Sequence, residues 1–366
     1  MALPKVFNPK SYIKKIQYLD GHRRYQKYFR KIYPAPDYLK TIKSEKFVYQ
    51  PLISIIVPTY NTKKEFFIEM IESVFCQTYS NWELVIIDDA STDANVRDLI
   101  KHYAKRDHRI RFQFQKKNLH ISGATNEGFE LATGEFVSLL DHDDILWPNA
   151  LYEIVKALNE NRNIDLIYTD EDKLSYDGIR HQDPFLKPDW NSELLLSINY
   201  ITHFTTIRKK IIDKIGGEDS KYNGAQDWDL YLRATEATTD EKIYHIPKIL
   251  YSWRIHDDST AKAFSTKSYV VNSQRNLLKN ALQRRGYNKS DYELYENFGI
   301  WTRKIKNQKV QHGKVNLDRI KGLALSASEI RKNIGRNSLT EYNYSHAQYN
   351  VDGKLFIPEE MYRKYW

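Results

Sequence analysis

The spacing of apolar positions changes character several times along this chain. Between Tyr12 and Ile32, the residues Tyr12, Ile16, Leu19, then Tyr25, Phe29 and Ile32 recur at three- and four-residue steps, with a break near Gly21. Lys14, Lys15, Arg23, Arg24, Lys27, Arg30 and Lys31 fall between them. With Asn8-Pro9 as N-cap and first helical position, the pattern predicts one kinked or two short amphipathic basic helices, stopped by Pro34 and Pro36. Residues 52–57 are then a continuous apolar run, as expected of a strand buried on both faces. Further on, the periodicity predicts helices at 63–75, 96–104, 122–132 and 148–159, and strands at 83–87, 110–114, 135–140 and 164–168. Strand and helix alternating with short links imply an α/β fold with a mostly parallel sheet.

The second half is less regular. It reads as a strand at 202–207, a helix at 209–215 stopped by Gly216-Gly217, a helix at 227–237, a strand at 243–253 and a long helix at 268–285. Beyond residue 290 polarity rises and no separate domain is placed. In open α/β sheets ligands bind beyond the carboxyl ends of the strands. Those ends read Pro58-Thr59-Tyr60-Asn61, Asp88-Asp89-Ala90-Ser91 and Asp141-His142-Asp143-Asp144. Asp141 and Asp143 leave an apolar strand, and residues two apart in an extended segment point the same way. Two such carboxylates can face one divalent cation. A solvated acidic turn is the plainer alternative.

Composition narrows the class. Of 366 residues, 41% are hydrophobic and 13% aromatic, enough for a real core, which excludes wholesale disorder. Cys76 is the only cysteine, so an internal disulfide framework and a Cys-cluster zinc site are excluded. No apolar run approaches the ~20 residues of a membrane span, and the N-terminal stretch has no signal-peptide pattern. The expectation is a soluble, cytoplasmic protein. The net charge of +9 is uneven: residues 1–50 hold 12 Lys/Arg against 3 acids and residues 301–366 hold 13 against 6, leaving an acidic middle. Basic ends either are solvated or meet an anionic partner. Nucleic acid is not expected, since no helix-turn-helix, zinc-finger or RNP-like motif accompanies the charge. For the basic helices, packing on the body and peripheral docking on the inner face of a membrane both stay open.

A series of motifs then runs in order. It comprises Val57-Pro58-Thr59-Tyr60-Asn61, Val85-Ile86-Ile87-Asp88-Asp89-Ala90-Ser91-Thr92-Asp93, Gly123-Ala124-Thr125-Asn126, and Gly134-Glu135 ahead of Asp141. Later come Pro184-Phe185-Leu186-Lys187-Pro188-Asp189-Trp190, Gly224-Ala225-Gln226-Asp227-Trp228-Asp229-Leu230 and Tyr251-Ser252-Trp253-Arg254-Ile255-His256. From about 52 to 260 the chain resembles the family 2 glycosyltransferases, GT-A-fold enzymes that use nucleotide-sugar donors. The later motifs are most similar to bacterial enzymes that build surface polysaccharides, rhamnosyltransferases among them. The resemblance implies a Rossmann-like GT-A domain at 51–262, a basic helical extension at 1–50 and a helical or irregular extension at 263–366.

The implied roles follow residue by residue. Pro58, Thr59, Tyr60, Asn61 and Asp89 would line the nucleotide, Thr59 and Asp89 contacting the nucleoside and Asp89 accepting a base N–H, which suits UDP or dTDP. Tyr60 would stack on the base or serve as a core aromatic. Asn126 would lie near the donor phosphates or sugar. Many relatives have Arg just before it where this chain has Thr125, so Arg254 is the expected substitute at the phosphates. His142 stands within the donor motif. Asp143, with Asp141 and His256, would hold Mn²⁺ or Mg²⁺, Asp141 lying near the ribose or the metal and Asp144 being structural. Asp227 matches the catalytic base, and Asp229 a cap or ion-pair partner. Asp170, Glu171 and Asp172 would line the sugar pocket or form a solvated turn. The implied activity is metal-dependent, inverting transfer of a hexosyl or rhamnosyl group to a glycan or lipid-linked saccharide. Two alternatives are a sugar nucleotidyltransferase, for which the expected Gly-rich phosphate loop is missing after Val57, and a non-catalytic scaffold, which the joint presence of Asp143, Asp227 and His256 opposes.

Overall fold

A computed structural model of the chain describes residues 25–256, 268–297, 300–305, 348–349 and 355–356. Strands β1 (Ile53–Thr59), β2 (Trp82–Asp88), β3 (Ile110–Phe114) and β4 (Phe136–Leu139) alternate with helices, preceded by α1 (25–32) and α2 (Pro36–Ser44). Those helices are α3 (Lys64–Phe75), α4 (Ala94–Arg106) and α5 (His120–Leu131). Next come β5 (Ile145–Leu146), α6 (Ala150–Glu160), β6 (Leu166–Leu174), β7 (His181–Phe185), α7 (Ser192–Leu195), β8 (Thr205–Arg208) and α8 (Lys209–Ile215). Helix α9 (Gln226–Glu236), β9 (Ile243–Arg254), α10 (Ser268–Arg284) and the antiparallel hairpin β10 (Tyr292–Asn297) and β11 (Ile300–Ile305) complete the body.

One sheet of nine strands runs in the order β3-β2-β1-β4-β8-β6-β9-β5, with β7 added alongside β6. The α/β class expected from the sequence holds. The pairing is mixed, however. β1, β2, β3 and β4 are parallel, as is β6 with β9, whereas β8 is antiparallel to both β4 and β6, and β5 and β7 also pair antiparallel. Alternation along β1 and β2 feeds two cores. Ile55, Val57, Leu84 and Ile86 face Phe67, Met70, Ile100 and Ile154, while Ile56, Val85 and Ile87 face Phe129, Leu230 and Leu277. Every one of these residues is buried, so β1 and β2 are covered on both faces as their apolar runs require. A Cβ on Gly128 would lie 2.4 Å from Ile56 Cγ2, which is why α5 can press so close to β1.

Several elements depart from the sequence pattern. β6 extends six residues beyond the expected Tyr168, so Asp170, Glu171 and Asp172 lie inside a strand rather than after one, and all three are buried. β5 has two residues, β7 is polar and contains Pro184, and neither carries a period long enough to notice. Gly216 does end α8, at φ +76°. α10 packs Leu277, Leu278, Ala281 and Leu282 into the second core, beside Trp301 of β11. Of the expected basic helices, residues 12–24 lie outside the described residues. In α1, Tyr25 is buried and Phe29 stacks on His181 at 4.1 Å and 16°, edge-on to Trp147. That apolar face is therefore packed on the body. Among the described residues no helix is long and apolar enough to cross a membrane.

Candidate active site

The turn after β4 carries the acidic motif. Asp144 is fully buried, with Oδ2 accepting from the Tyr251 hydroxyl at 2.5 Å and Oδ1 from the Arg254 backbone N–H at 2.7 Å, so it is a structural acid, as expected. Asp143 is different. Its Oδ2 lies 2.5 Å from His256 Nε2 and its Oδ1 3.9 Å from His142 Nδ1. Burial alone would raise its pKa, but the bond from His256 and the charges of the two imidazoles outweigh it and hold Asp143 below the usual aspartate range. Asp141, 43% exposed, opens to the cleft, with Oδ2 3.6 Å from His203 Nε2. One oxygen from each of Asp141, Asp143 and Asp144 lies within 4.8 Å of the others. With Asp144 committed, the donors that fit a hard divalent cation are Asp141, Asp143 and His256. Because Nε2 meets the Asp143 carboxylate it carries the proton, and His256 Nδ1, buried and without a hydrogen-bond partner among the described residues, is left as the ring's lone-pair nitrogen.

Arg254 is fully buried, its Nε donating to Asp143 O at 2.7 Å, Nη1 to Tyr176 O at 3.3 Å and Nη2 to Glu69 Oε2 at 2.5 Å, with Phe66 under the guanidinium. It braces the backbone of the acidic turn.

At the ends of β1 and β2 the turns are tied together. Pro58 lies past Ile56, the last β1 residue paired with β4, so its missing N–H leaves no gap on that side. Thr59 O accepts from Asp89 N at 2.8 Å, and Thr59 Oγ1 is buried without a partner among the described residues. Tyr60 is 44% exposed, which excludes the core-aromatic reading. Asn61, at φ +48°, donates its N–H to Ser91 Oγ and accepts from Thr92 N–H, both at 2.9 Å, locking one turn to the other. Asp89 accepts from Leu119 N at 2.6 Å, and burial raises its pKa. Asn126 uses both ends of its amide on residue 218, Nδ2 to the carbonyl and Oδ1 from the N–H, each at 2.8 Å. It clamps the Gly217-Glu218 turn.

On the other side of the cleft, Asp227 sits in the first turn of α9, its Oδ2 accepting from Asn199 Nδ2 at 2.7 Å. Burial raises its pKa, against the lowering influence of His203 and of the helix N–H groups. Asp229 pairs with Arg233 at 2.6 Å, the ion-pair role expected of it. Glu218, buried with Oε2 unpartnered among the described residues, is pushed up to about 8 by desolvation and then by the charge of Asp227. The sequence did not single out His203, Lys187 as a separate group, or Glu218. His203 stacks on Tyr251 at 4.7 Å, and Lys187 Nζ and His203 Nδ1 approach Glu171 Oε2 at 3.1 and 3.5 Å. Burial pulls His203 down, but Glu171 and Asp141 outweigh it and raise the ring to about 9. The only available signal was a histidine inside an otherwise apolar strand pattern and a lysine between two prolines.

Residues 54–216, from β1 to the Gly216 cap of α8, match the family model Glycosyl transferase family 2. This segment is a family 2 glycosyltransferase domain. Asp227 and His256 lie beyond the matched segment. An uncharacterized protein, y4gI, of Sinorhizobium fredii is 43% identical over 234 residues, 64% of this chain and 26% of that one. The O-antigen biosynthesis protein RfbC of Myxococcus xanthus is 39% identical over 205 residues, 56% of this chain and 16% of its own. The chondroitin synthase of Escherichia coli is 29% identical over 249 residues, 68% and 35% respectively. The chain thus spans about a third or less of the length of these relatives.

Proposed function

We propose that this domain is a metal-dependent, inverting glycosyltransferase that moves a hexosyl or rhamnosyl group from a UDP- or dTDP-sugar to a hydroxyl of a glycan or lipid-linked saccharide during bacterial surface-polysaccharide synthesis. The observation that carries the reading is that His203 lies 3.6 Å from Asp141 of the donor-side motif while its charge also acts on Asp227, so both acids lie near one imidazole. The family supports sugar transfer, and the names of the Myxococcus and Escherichia relatives support polysaccharide as the product class. Mn²⁺ or Mg²⁺ held by Asp141, Asp143 and His256 would supply neutralising charge to the diphosphate leaving group.

The chain's own residues do the rest. Asp227 takes the proton of the acceptor hydroxyl as that oxygen bonds to the anomeric carbon, the bond to the diphosphate breaks on the opposite face, and the centre inverts. Its raised pKa makes it a stronger acceptor of that proton than an ordinary aspartate. Exposed Tyr60 would stack on a base, and Asp89, just past β2, would accept an imide N–H, which favours uracil or thymine. The basic N-terminal segment docks on the inner membrane face through its charged side, since the apolar side of α1 is packed. A thermal-shift series with UDP, dTDP, GDP and CDP, each with Mn²⁺ or EDTA, tests the reading. A ligand at ~100 times its Kd adds about 2.7 kcal/mol. UDP or dTDP with Mn²⁺ should give the largest shift. A larger shift with GDP, or shifts indifferent to EDTA, would overturn it.

A further inference from the structure

The donor-side acid Asp141 is backed by a chain of buried groups that the transfer chemistry above does not use. Lys187 Nζ is fully buried, 3.1 Å from Glu171 Oε2, and donates to Ile201 O at 2.6 Å and to His203 O. Glu171 Oε2 in turn accepts from Thr202 Oγ1 at 2.7 Å and from the His203 N–H at 3.1 Å, with His203 Nδ1 at 3.5 Å. The ring is held flat against Tyr251, 4.7 Å away and 12° from parallel, and its other nitrogen, Nε2, ends 3.6 Å from Asp141 Oδ2. Lysine and glutamate thus fix the 201–203 loop from inside the sheet, and the loop has one side chain to deliver, the imidazole that meets Asp141. A long, buried Lys–Glu pair is a costly device, often no better for stability than apolar packing. Its placement makes sense if it sets the orientation of an acid whose position must not drift.

We propose that Lys187, Glu171 and His203 form a positioning relay for Asp141, His203 pairing with that carboxylate through Nε2 while its backbone N–H and carbonyl are held by Glu171 and Lys187 and its Nδ1 faces Glu171. The inference rests on the transferase reading, since it assigns to Asp141 a place in donor binding. It concerns geometry, and it separates the two ring nitrogens. His203→Gln puts an amide nitrogen near the position of Nε2 and keeps the contact to Asp141. His203→Asn puts it near Nδ1 and loses that contact while keeping the one to Glu171.

The test is calorimetric titration of UDP and of dTDP in the presence of Mn²⁺ into the full chain and the two variants, with the ligand-free melting temperature as a fold control. Groups that orient a metal's ligands typically contribute ~10–100-fold to affinity. His203→Asn should therefore weaken nucleotide binding at least ~10-fold, with His203→Gln within about threefold of wild type and both melting temperatures alike. If wild type binds and both variants bind equally well or equally badly, the relay is wrong and the transferase reading stands. If wild type binds neither nucleotide, the donor reading itself fails and the relay with it.

Discussion

Two runs of acids stand in the same half of the sheet, and their settings are opposite. Asp170, Glu171 and Asp172 lie inside β6 and each has a full set of partners drawn from far along the chain. Asp170 Oδ1 accepts from Lys187 N at 2.8 Å and lies 2.9 Å from His245 Nε2. Glu171 meets Lys187 and His203, and burial is so far outweighed by these cations that its pKa falls well below the glutamate range. Asp172 accepts from the Tyr25 hydroxyl at 2.7 Å and Ser252 Oγ at 2.5 Å, with His181 Nδ1 at 3.0 Å. In the Asp141–Asp144 run only Asp144 is satisfied in this way. Asp141 and Asp143 are only partly buried, Asp141 with His203 at 3.6 Å and Asp143 with His256 and His142. An acid saturated by hydrogen bonds and fixed cations holds the fold together. An acid left with a partly open coordination sphere remains available to a ligand.

The largest way to break this comparison is to remove a cation from the saturated set. Lys187→Met leaves Glu171 buried with a diminished partner set, and losing one member of a buried pair costs about 3–5 kcal/mol. A urea titration should show that loss as a lower midpoint, and an unchanged midpoint would place Lys187 outside the structural network. Next in size is Asp227→Asn. It keeps the shape and removes the proton acceptor, so turnover should fall at least ~10²-fold with donor affinity nearly unchanged. Steady-state kinetics decide, and near-normal turnover would assign the base elsewhere.

A smaller effect sharpens the contrast through pH. Glu218 has its pKa raised to about 8, so the folded state binds its proton more tightly than the unfolded chain does. Its contribution is then favourable below pH ~4.5 and is lost as pH rises toward 8. Glu218→Gln should leave stability at pH 5 almost as it was and raise it by about 1–3 kcal/mol at pH 9 relative to wild type. Melting curves at the two pH values check the sign. The smallest change is Tyr25→Phe, which removes one hydrogen bond to Asp172 and should cost about 1 kcal/mol while leaving nucleotide binding unaffected.

The contrast also explains what the sequence made legible. β1, β2 and β3 and helices α3 and α8 follow from period alone, because each is apolar in a pattern that only one element fits. β6 reads as ending at Tyr168 because three consecutive acids look like a turn. Only tertiary partners, Lys187, His181, His203 and His245, make that acidic segment a buried strand, and none is near it in sequence except His181 and Lys187. Asp141, Asp143, Asp227 and His256 were visible through motif order. A charged residue beside a donor motif invites a phosphate, and the burial of Arg254 and its contact with Glu69 are not legible in sequence. His203 escaped notice because its meaning lies in what it touches, Asp141 on one side and Glu171 on the other.

On the proposed reading the open acids divide donor binding from proton removal. The decisive test is calorimetric titration of UDP with Mn²⁺ into wild type, Asp143→Asn and Asp227→Asn. Asp227→Asn should bind as wild type does, while Asp143→Asn should bind at least ~10-fold more weakly and lose its dependence on Mn²⁺. Equal binding by all three proteins, or weakening by Asp227→Asn alone, would contradict it.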